Sequence, residues 1–318
     1  MTEGDRAAVE RTLAREYPDR EVRDVSPVPR GNNKATAVAT FADGERVVVQ
    51  RSADREEFRT ELALTRAIAR RTDVPVPTVR ASGDDESGAY AVLDYVAGAD
   101  LHERFVDLSV GDRRAIARRF GEILATLQEA FDFEEFGAVT VADGDATENA
   151  TLRATGGTDW PAWFEPYARE GIDALPNAFA DLRDPLRAAV EDAALPESPP
   201  ARLYPWDLRP GNALVEGGAL AAVLDWGDPL SAAPGLAVAK AEHLVADWYV
   251  DDGAPLREAF REGYRGHRAI PEVPRVYRLV AMVRSAVDSR GVVTRPGYPE
   301  RKSDAAVSFH RERIEALL

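Results

Sequence analysis

The sequence predicts an α+β protein in two parts. A β-rich N-terminal part covers residues 1–96, and a larger, mainly helical part covers 97–318. Two β-rich runs around an Asp-Gly turn, followed by one long helix, define the first part. Apolar stripes at helical spacing through most of the remainder define the second. With 318 residues the chain suits one large domain or two ordinary ones of roughly 150 residues, and it can bury a sizeable core.

Taken in order, Ala7, Val9, Leu13 and Tyr17 recur at helical spacing over residues 6–17. Ala35–Phe41 and Arg46–Gln50 are strands flanking "ADGE", and Asp-Gly between β-rich runs signals a hairpin. The loop "RGNNK" precedes the first of them. Residues 54–71, "DREEFRTELALTRAIARR", form a helix, which "VPVP" ends because proline disfavours continuation. "AYAVLDYVAGADL" is a strand, a short connector and a restart. In "RRAIARRFGEILATLQEAF" the residues Ile116, Phe120, Ile123, Leu124, Leu127 and Phe131 make one apolar stripe. The polar stretch "VTVADGDATENATLRATGGT" is a loop or insertion. "WPAWFEPYAREGIDAL" and "LRDPLRAAVEDAAL" are helices, and "PESPPARLYP" is a connector. Beyond Asp225, helices resume through "LAVAKAEHLVADWYV", "PLREAFREGYRGH", "RVYRLVAMVRSAVDSR" and "AAVSFHRERIEALL".

Charged residues make up 30% of the chain and the net charge is −15, yet only three lysines occur, Lys34, Lys240 and Lys302. Acidic excess with arginine as the main cation is the composition of a protein adapted to high internal salt, where a self-repelling surface is screened. Arginine preference in a GC-rich genome explains the scarcity of lysine but not the acidic excess. So acidic a surface argues against a duplex nucleic-acid partner. There is no cysteine, hence no disulfide and no thiolate zinc site, and the four histidines show no metal-binding spacing. The N-terminus lacks an apolar signal core and no stretch approaches the ~18 apolar residues of a membrane span. A soluble cytoplasmic protein is expected, without a membrane partner.

The chemistry concentrates in "LYPWDLRPGNALVEGGALAAVLDWGD", residues 203–228. "DLRPGN" is a tight loop with Pro210 and Gly211 as turn residues. "ALVE" and "AAVLD" make a hairpin after it, which would return Asp225 towards Asp207 and Asn212. Two carboxylates and an amide are hard oxygen donors suited to Mg²⁺. A carboxylate left off the metal can orient a hydroxyl and accept its proton.

This stretch resembles the aminoglycoside phosphotransferase and choline kinase superfamily, which is protein-kinase-like in fold, with a small β-rich lobe holding one helix and a larger helical lobe. The resemblance implies transfer of the γ-phosphoryl group of ATP, with Mg²⁺, to a hydroxyl of a small-molecule acceptor. It makes Asp207 the catalytic aspartate, and Asn212 and Asp225 the metal ligands. It also gives Glu61 a role. On the helix, Glu61 lies on the same side as Phe58, Leu62, Thr65 and Ile68, where a carboxylate is costly without a partner. In kinase-like folds a glutamate so placed pairs with a strand lysine that grips the nucleotide phosphates. Gln50 stands at the expected lysine position and Arg51 follows it. Alternation puts the two on opposite faces, so either could be the substitute. "RGNNKATAVA" is a candidate phosphate cover, with Gly31 allowing unusual backbone angles and Asn32, Asn33 and Lys34 offering donors; a plain turn before a strand accounts for it equally. "LDYVAGADL" resembles the inter-lobe hinge, where backbone groups of Asp94–Val96 would meet the adenine. Trp160, Trp163 and Phe164 serve either an acceptor pocket or core packing.

Two further departures from the superfamily pattern stand out. Pro205 and Trp206 replace the usual His-Gly before the aspartate, and "SAAPGLAVAK" lacks the downstream aspartate that fixes the loop. With the missing strand lysine, they leave an alternative open: a kinase-like nucleotide-binding or interaction module with little transfer activity.

Overall fold

The computed structural model describes residues 3–28, 34–142 and 150–318. The chain divides into two compact units. The first comprises Met1–Ala97, Thr140–Arg153 and Ala222–Asp228, and the second Gly98–Val139, Ala154–Ala221 and Pro229–Leu318.

The first unit contains α1 (Glu3–Glu16), β1 (Val22–Pro27), β2 (Ala35–Phe41), β3 (Arg46–Ser52), α2 (Arg55–Arg71), β4 (Val79–Asp85) and β5 (Gly88–Asp94). The strands form one antiparallel sheet in the order β1-β2-β3-β5-β4. Pleating sends alternate residues to opposite faces. Ala37, Ala39, Val47, Val49 and Val92 pack with Val9 and Leu13 of α1. Ala89, Ala91 and Leu93, with Val48 beside them, pack with Phe58 and Leu62 of α2. Gly44, at φ 88°, makes the β2–β3 turn. Helix α2 begins where the Asp54 side chain accepts a hydrogen bond from the Glu57 amide at 3.0 Å. It stops at Arg71, shortly before the Val74–Pro75 step.

Two strands of this sheet, β1 and β4, have no counterpart in the expected elements. Both lie at its edges. In β1 only Val25 is buried, and β4 has no fully buried residue. An edge strand covered on one side and rich in polar residues carries little apolar alternation, so the sequence signal is weak.

The second unit is mainly helical. Its elements begin with β6 (Ala99–Asp100), α3 (Leu101–Arg104), α4 (Val110–Ala130), β7 (Asp132–Phe133), β8 (Gly137–Val141) and β9 (Leu152–Thr155). α5 (Trp160–Ala174), α6 (Arg183–Glu191), β10 (Ala201–Tyr204), β11 (Ala213–Glu216), β12 (Ala219–Val223) and β13 (Leu230–Ala232) follow. The chain ends with α7 (Pro234–Ala246), α8 (Ala254–Arg265), α9 (Arg275–Ala286) and α10 (Ser303–Glu315). β8, β9 and β12 run across boundaries between the units along the chain. The short strands form two further sheets, β7-β10-β13-β8-β9 and β12-β11-β6. The stretch expected as a polar loop thus contributes β8 and β9 on either side of residues 143–149, which lie outside the described residues.

All six residues of the apolar stripe are buried, five on α4 and Phe131 at its C-cap. α4 meets α8 at very close range. A Cβ added at Gly121 would lie 1.9 Å from the Phe260 carbonyl oxygen, and one at Gly263 would lie 1.9 Å from that of Arg118. Only glycine permits this approach. Buried Gln128 of α4 accepts a hydrogen bond from the Tyr264 hydroxyl of α8 and donates to the Pro234 carbonyl at 3.3 Å. The start of α7 is thereby tied to the α4–α8 core. Among the described residues, no helix is long and apolar enough to cross a membrane.

Candidate active site

Strand β10 ends at Tyr204, and the loop "PWDLRPGN" follows. Pro210–Asn212 form one turn of 3₁₀ helix before β11. The Asn212 side-chain amide donates to the Asp207 carbonyl oxygen at 3.0 Å, closing the loop on itself. This bond engages the amide nitrogen and directs the Asn212 carbonyl oxygen elsewhere. The Asp207 carboxylate is partly exposed, and Arg209 Nε donates to its Oδ2 at 3.3 Å. A Cβ at Gly211 would lie 2.6 Å from Arg209 Nη1, so glycine there makes room for the guanidinium. Lys240 Nζ of α7 lies 4.0 Å from the other oxygen, Oδ1. The structure therefore places Asp207 and Asn212 together in the second unit, with two cations beside the carboxylate. Arg209 sits inside the motif and Lys240 is one of three lysines, but neither showed a pairing signal in sequence.

Asp225 follows β12 and lies in the first unit. It has φ 61°, and Asp228 has φ 49°. Left-handed backbone is uncommon outside glycine, and such strain gathers where the surroundings impose it. The buried Trp226 ring anchors the turn, with its Nε1 donating to the Val223 carbonyl at 3.3 Å. Half of the Asp225 side chain remains exposed.

Lys34 binds this aspartate. Its Nζ lies 2.7 Å from Asp225 Oδ1 and 2.7 Å from each oxygen of Glu61. Glu61 is 6% exposed, within the buried face of α2. Burial opposes the charge on Lys34, but Glu61 and Asp225 more than offset it and hold the ammonium above its ordinary pKa. Burial pushes Glu61 up and Asp225 adds to this, while Lys34 works against both. The two shifts pull the ion pair in opposite directions. The geometry favours the charged pair, because one ammonium touches three carboxylate oxygens. Nearby Glu57 is also raised, by burial first and then by Asp228 and Asp54.

The pairing expected of Arg51 or Gln50 thus falls to Lys34. Arg51 pairs with Tyr90 across β3–β5 and shares a face with Val47 and Val49, the face packed on α1. Its Nη1 donates to Thr12 Oγ1 at 2.6 Å and its Nη2 to Asp85 at 2.6 and 2.7 Å. It is a buried structural cation on the side of the sheet opposite Glu61. Gln50 does face α2. Because Thr36 is opposite Gln50 in register, Lys34, two residues earlier on β2's approach, projects to that same face. The sequence singled out Lys34 as a loop donor but not as the partner of Glu61.

The remaining expected residues are placed as follows. Gly31 and Asn32 lie outside the described residues. Asp94 ends β5; its carboxylate accepts from Arg80, and its amide donates to the Thr78 carbonyl at 2.9 Å. That amide is therefore engaged by the segment that enters β4. Val96 lies beyond the strand, half-buried. Trp160 and Phe164 are core residues, and Trp160 Nε1 donates to the Tyr277 hydroxyl at 2.7 Å. Trp163 stacks between Trp160 and Tyr167.

Among the described residues, no group of three or more His, Cys, Asp or Glu side chains is gathered to hold a metal ion. Taken singly, Asp225 of the first unit offers a half-exposed carboxylate and Asn212 of the second a side-chain carbonyl oxygen left free for another partner by its amide bond. Both are hard oxygen donors of the kind that suits Mg²⁺, which keeps several waters and takes phosphate oxygens alongside one or two carboxylates.

The chain matches the model of the phosphotransferase enzyme family over residues 24–278. No curated protein matches it. Among solved structures it is similar to aminoglycoside phosphotransferase APH(4)-Ia, at 18% identity, 98% coverage of each chain and a TM-score of 0.66. A thermostable mutant of that enzyme, in ternary complex with AMP-PNP and hygromycin B, matches at 19% identity, 98% coverage of this chain, 97% of that one, and a TM-score of 0.65. Macrolide 2′-phosphotransferase MphH from Brachybacterium faecium matches at 19% identity, with 98% and 97% coverage and a TM-score of 0.57. These likenesses establish the kinase-like fold. The family model spans most of the sequence, including Glu61, Asp207, Asn212 and Asp225, and the chain belongs to the phosphotransferase enzyme family.

Proposed function

We propose that this protein transfers the γ-phosphoryl group of ATP to a hydroxyl group of a small molecule, with Mg²⁺. The observation that carries the proposal is Lys34, whose ammonium bridges buried Glu61 and half-exposed Asp225 at 2.7 Å. A cation held charged beside a metal-type carboxylate is what nucleotide phosphates and their counter-ion require. Lys34 grips the phosphates, and Glu61 orients Lys34. Asn212 and Asp225 would hold Mg²⁺, which when bound supplies positive charge against the phosphate oxygens.

Asp207 orients the acceptor. The acceptor oxygen attacks the γ-phosphorus and its proton passes to the Asp207 carboxylate. The bond from the γ-phosphorus to the bridging oxygen breaks, and ADP leaves with that electron pair. Positioning and charge neutralisation account for most of such catalysis. The AMP-PNP complex of the APH(4)-Ia mutant supports an adenine nucleotide, and its hygromycin B supports a small-molecule acceptor. The alternative of a nucleotide-binding module with little transfer activity drew on the missing strand lysine and on Pro205–Trp206 before Asp207; Lys34 against Glu61 speaks against the first of these grounds and leaves the second.

Calorimetry with MgATP in high-salt buffer tests the reading. Wild type is expected to bind only with Mg²⁺, and Asp225→Ala to lose that dependence together with most of the affinity. A folded wild type that binds neither ATP nor GTP would overturn it.

A further inference from the structure

Lys240 occupies an unusual position. It lies in α7, every residue of which is buried, and is itself 2% exposed. A buried ammonium is costly unless its surroundings compensate it. Two compensating groups are Trp206, whose ring centroid lies 3.2 Å from Nζ, and Asp207, whose Oδ1 lies 4.0 Å away. Both belong to the loop that carries the catalytic aspartate. The same indole has Arg284 at 5.3 Å from its centroid and the Tyr167 ring edge-on at 6.4 Å. Trp206 is thus held by two cations and an aromatic neighbour, although it stands in an irregular segment between a four-residue strand and a single 3₁₀ turn.

The position of Lys240 is set far from the loop. Helix α7 starts at Pro234, whose carbonyl accepts from Gln128 of α4, and Gln128 is bonded to Tyr264 of α8. The tightly packed α4–α8 pair therefore fixes the start of α7, and α7 delivers the ammonium to Trp206 and Asp207. Arg209 takes the other oxygen of the same carboxylate.

We propose that Lys240 is a positioning residue for phosphoryl transfer. Pinned on the face of Trp206, its ammonium fixes the direction of the Asp207 carboxylate and couples the loop to the helical core. This proposal rests on the phosphotransfer reading. It also gives a use to Trp206 at a position where the related pattern has glycine. The lysine–tryptophan clamp holds the loop in a chain that lacks both the usual histidine and the downstream aspartate.

The test measures phosphate release from MgATP, with water as acceptor, together with the KM for MgATP. Lys240→Met should lower kcat by roughly 10- to 100-fold, the scale of a misplaced catalytic group, and leave the KM for MgATP unchanged. Lys240→Arg should restore much of kcat, and Trp206→Phe should lose less than Trp206→Leu. Asp207→Ala is the control for the reading itself. If Asp207→Ala is inactive while Lys240→Met keeps wild-type kcat, the positioning role is overturned and the phosphotransfer reading stands. If wild type shows no turnover, or Asp207→Ala retains full turnover, both fall. Should Lys240→Met fail to fold, Trp206→Leu takes its place, and wild-type kcat in that variant overturns the proposal.

Discussion

In the proposed reading, Lys34 is the residue on which nucleotide binding turns. Its replacement by methionine leaves Glu61 buried without its cation. Removing one partner of a buried pair is far more costly than losing a surface pair, and here it should cost about 3 kcal/mol. Lys34→Met should therefore lower the melting temperature and abolish MgATP binding, whereas Lys34→Met/Glu61→Gln should recover stability without recovering binding. Arg51→Met makes the contrast. Arg51 is bonded to Thr12 and Asp85 on the α1 side of the sheet, so its loss should destabilise the fold and leave nucleotide affinity intact in the folded fraction. Equal loss of MgATP affinity in the two single variants would refute this division of labour. The burial of Glu61 was legible in sequence from helical periodicity alone. Its partner was not, because strand register and the side of the sheet on which α2 packs are settled by contacts distant in sequence.

Among the elements, α10 carries a titrating group with a defined consequence. His310 is 1% exposed, with Nε2 near Thr294 Oγ1 at 3.1 Å and the Thr294 carbonyl at 3.2 Å. Burial, and then His243, push its pKa down to about 3, against the bond to Thr294. The folded protein keeps this imidazole neutral while the unfolded chain protonates it near the ordinary value of 6.5. The group thus contributes stability that is fully present above pH 6.5 and is lost as pH falls from there towards 3. One proton of difference gives a slope of about 1.4 kcal/mol per pH unit. Urea unfolding between pH 7 and 4 should show that slope, and His310→Gln should reduce it; equal slopes in both proteins would rule out His310 as its source. β1 and β4 make a different point about elements. They were invisible in sequence because an edge strand with polar residues lacks the two-sided apolar pattern that marked β2, β3 and β5.

The whole molecule carries a net charge of −15. Arginine–carboxylate pairs are spread over its surface, for example Arg311 with Asp181 and Arg187 with Asp173. Pairs in direct contact are short-range, and each exposed one contributes little. The repulsion among excess carboxylates acts over longer distances and is what salt removes, as the Debye length falls from about 10 Å at 0.1 M to about 3 Å at 1 M. The melting temperature should rise steadily in KCl across that range. A flat response would overturn the high-salt account of the acidic excess.

Local pattern sufficed for the α+β class, the α2 helix, the β2–β3 hairpin, and the motif holding Asp207, Asn212 and Asp225. Each is written within a few residues, by side-chain period, by proline and glycine, or by turn chemistry. Tertiary structure decided which cation meets which carboxylate. Lys34 rather than Arg51 reaches Glu61 because the β2–β3 register and the α2 side of the sheet put it there. Lys240 reaches Asp207 because the glycine-mediated contact of α4 with α8 and the Gln128 link place α7. A buried charge must find a partner, but the identity of that partner depends on how distant elements pack.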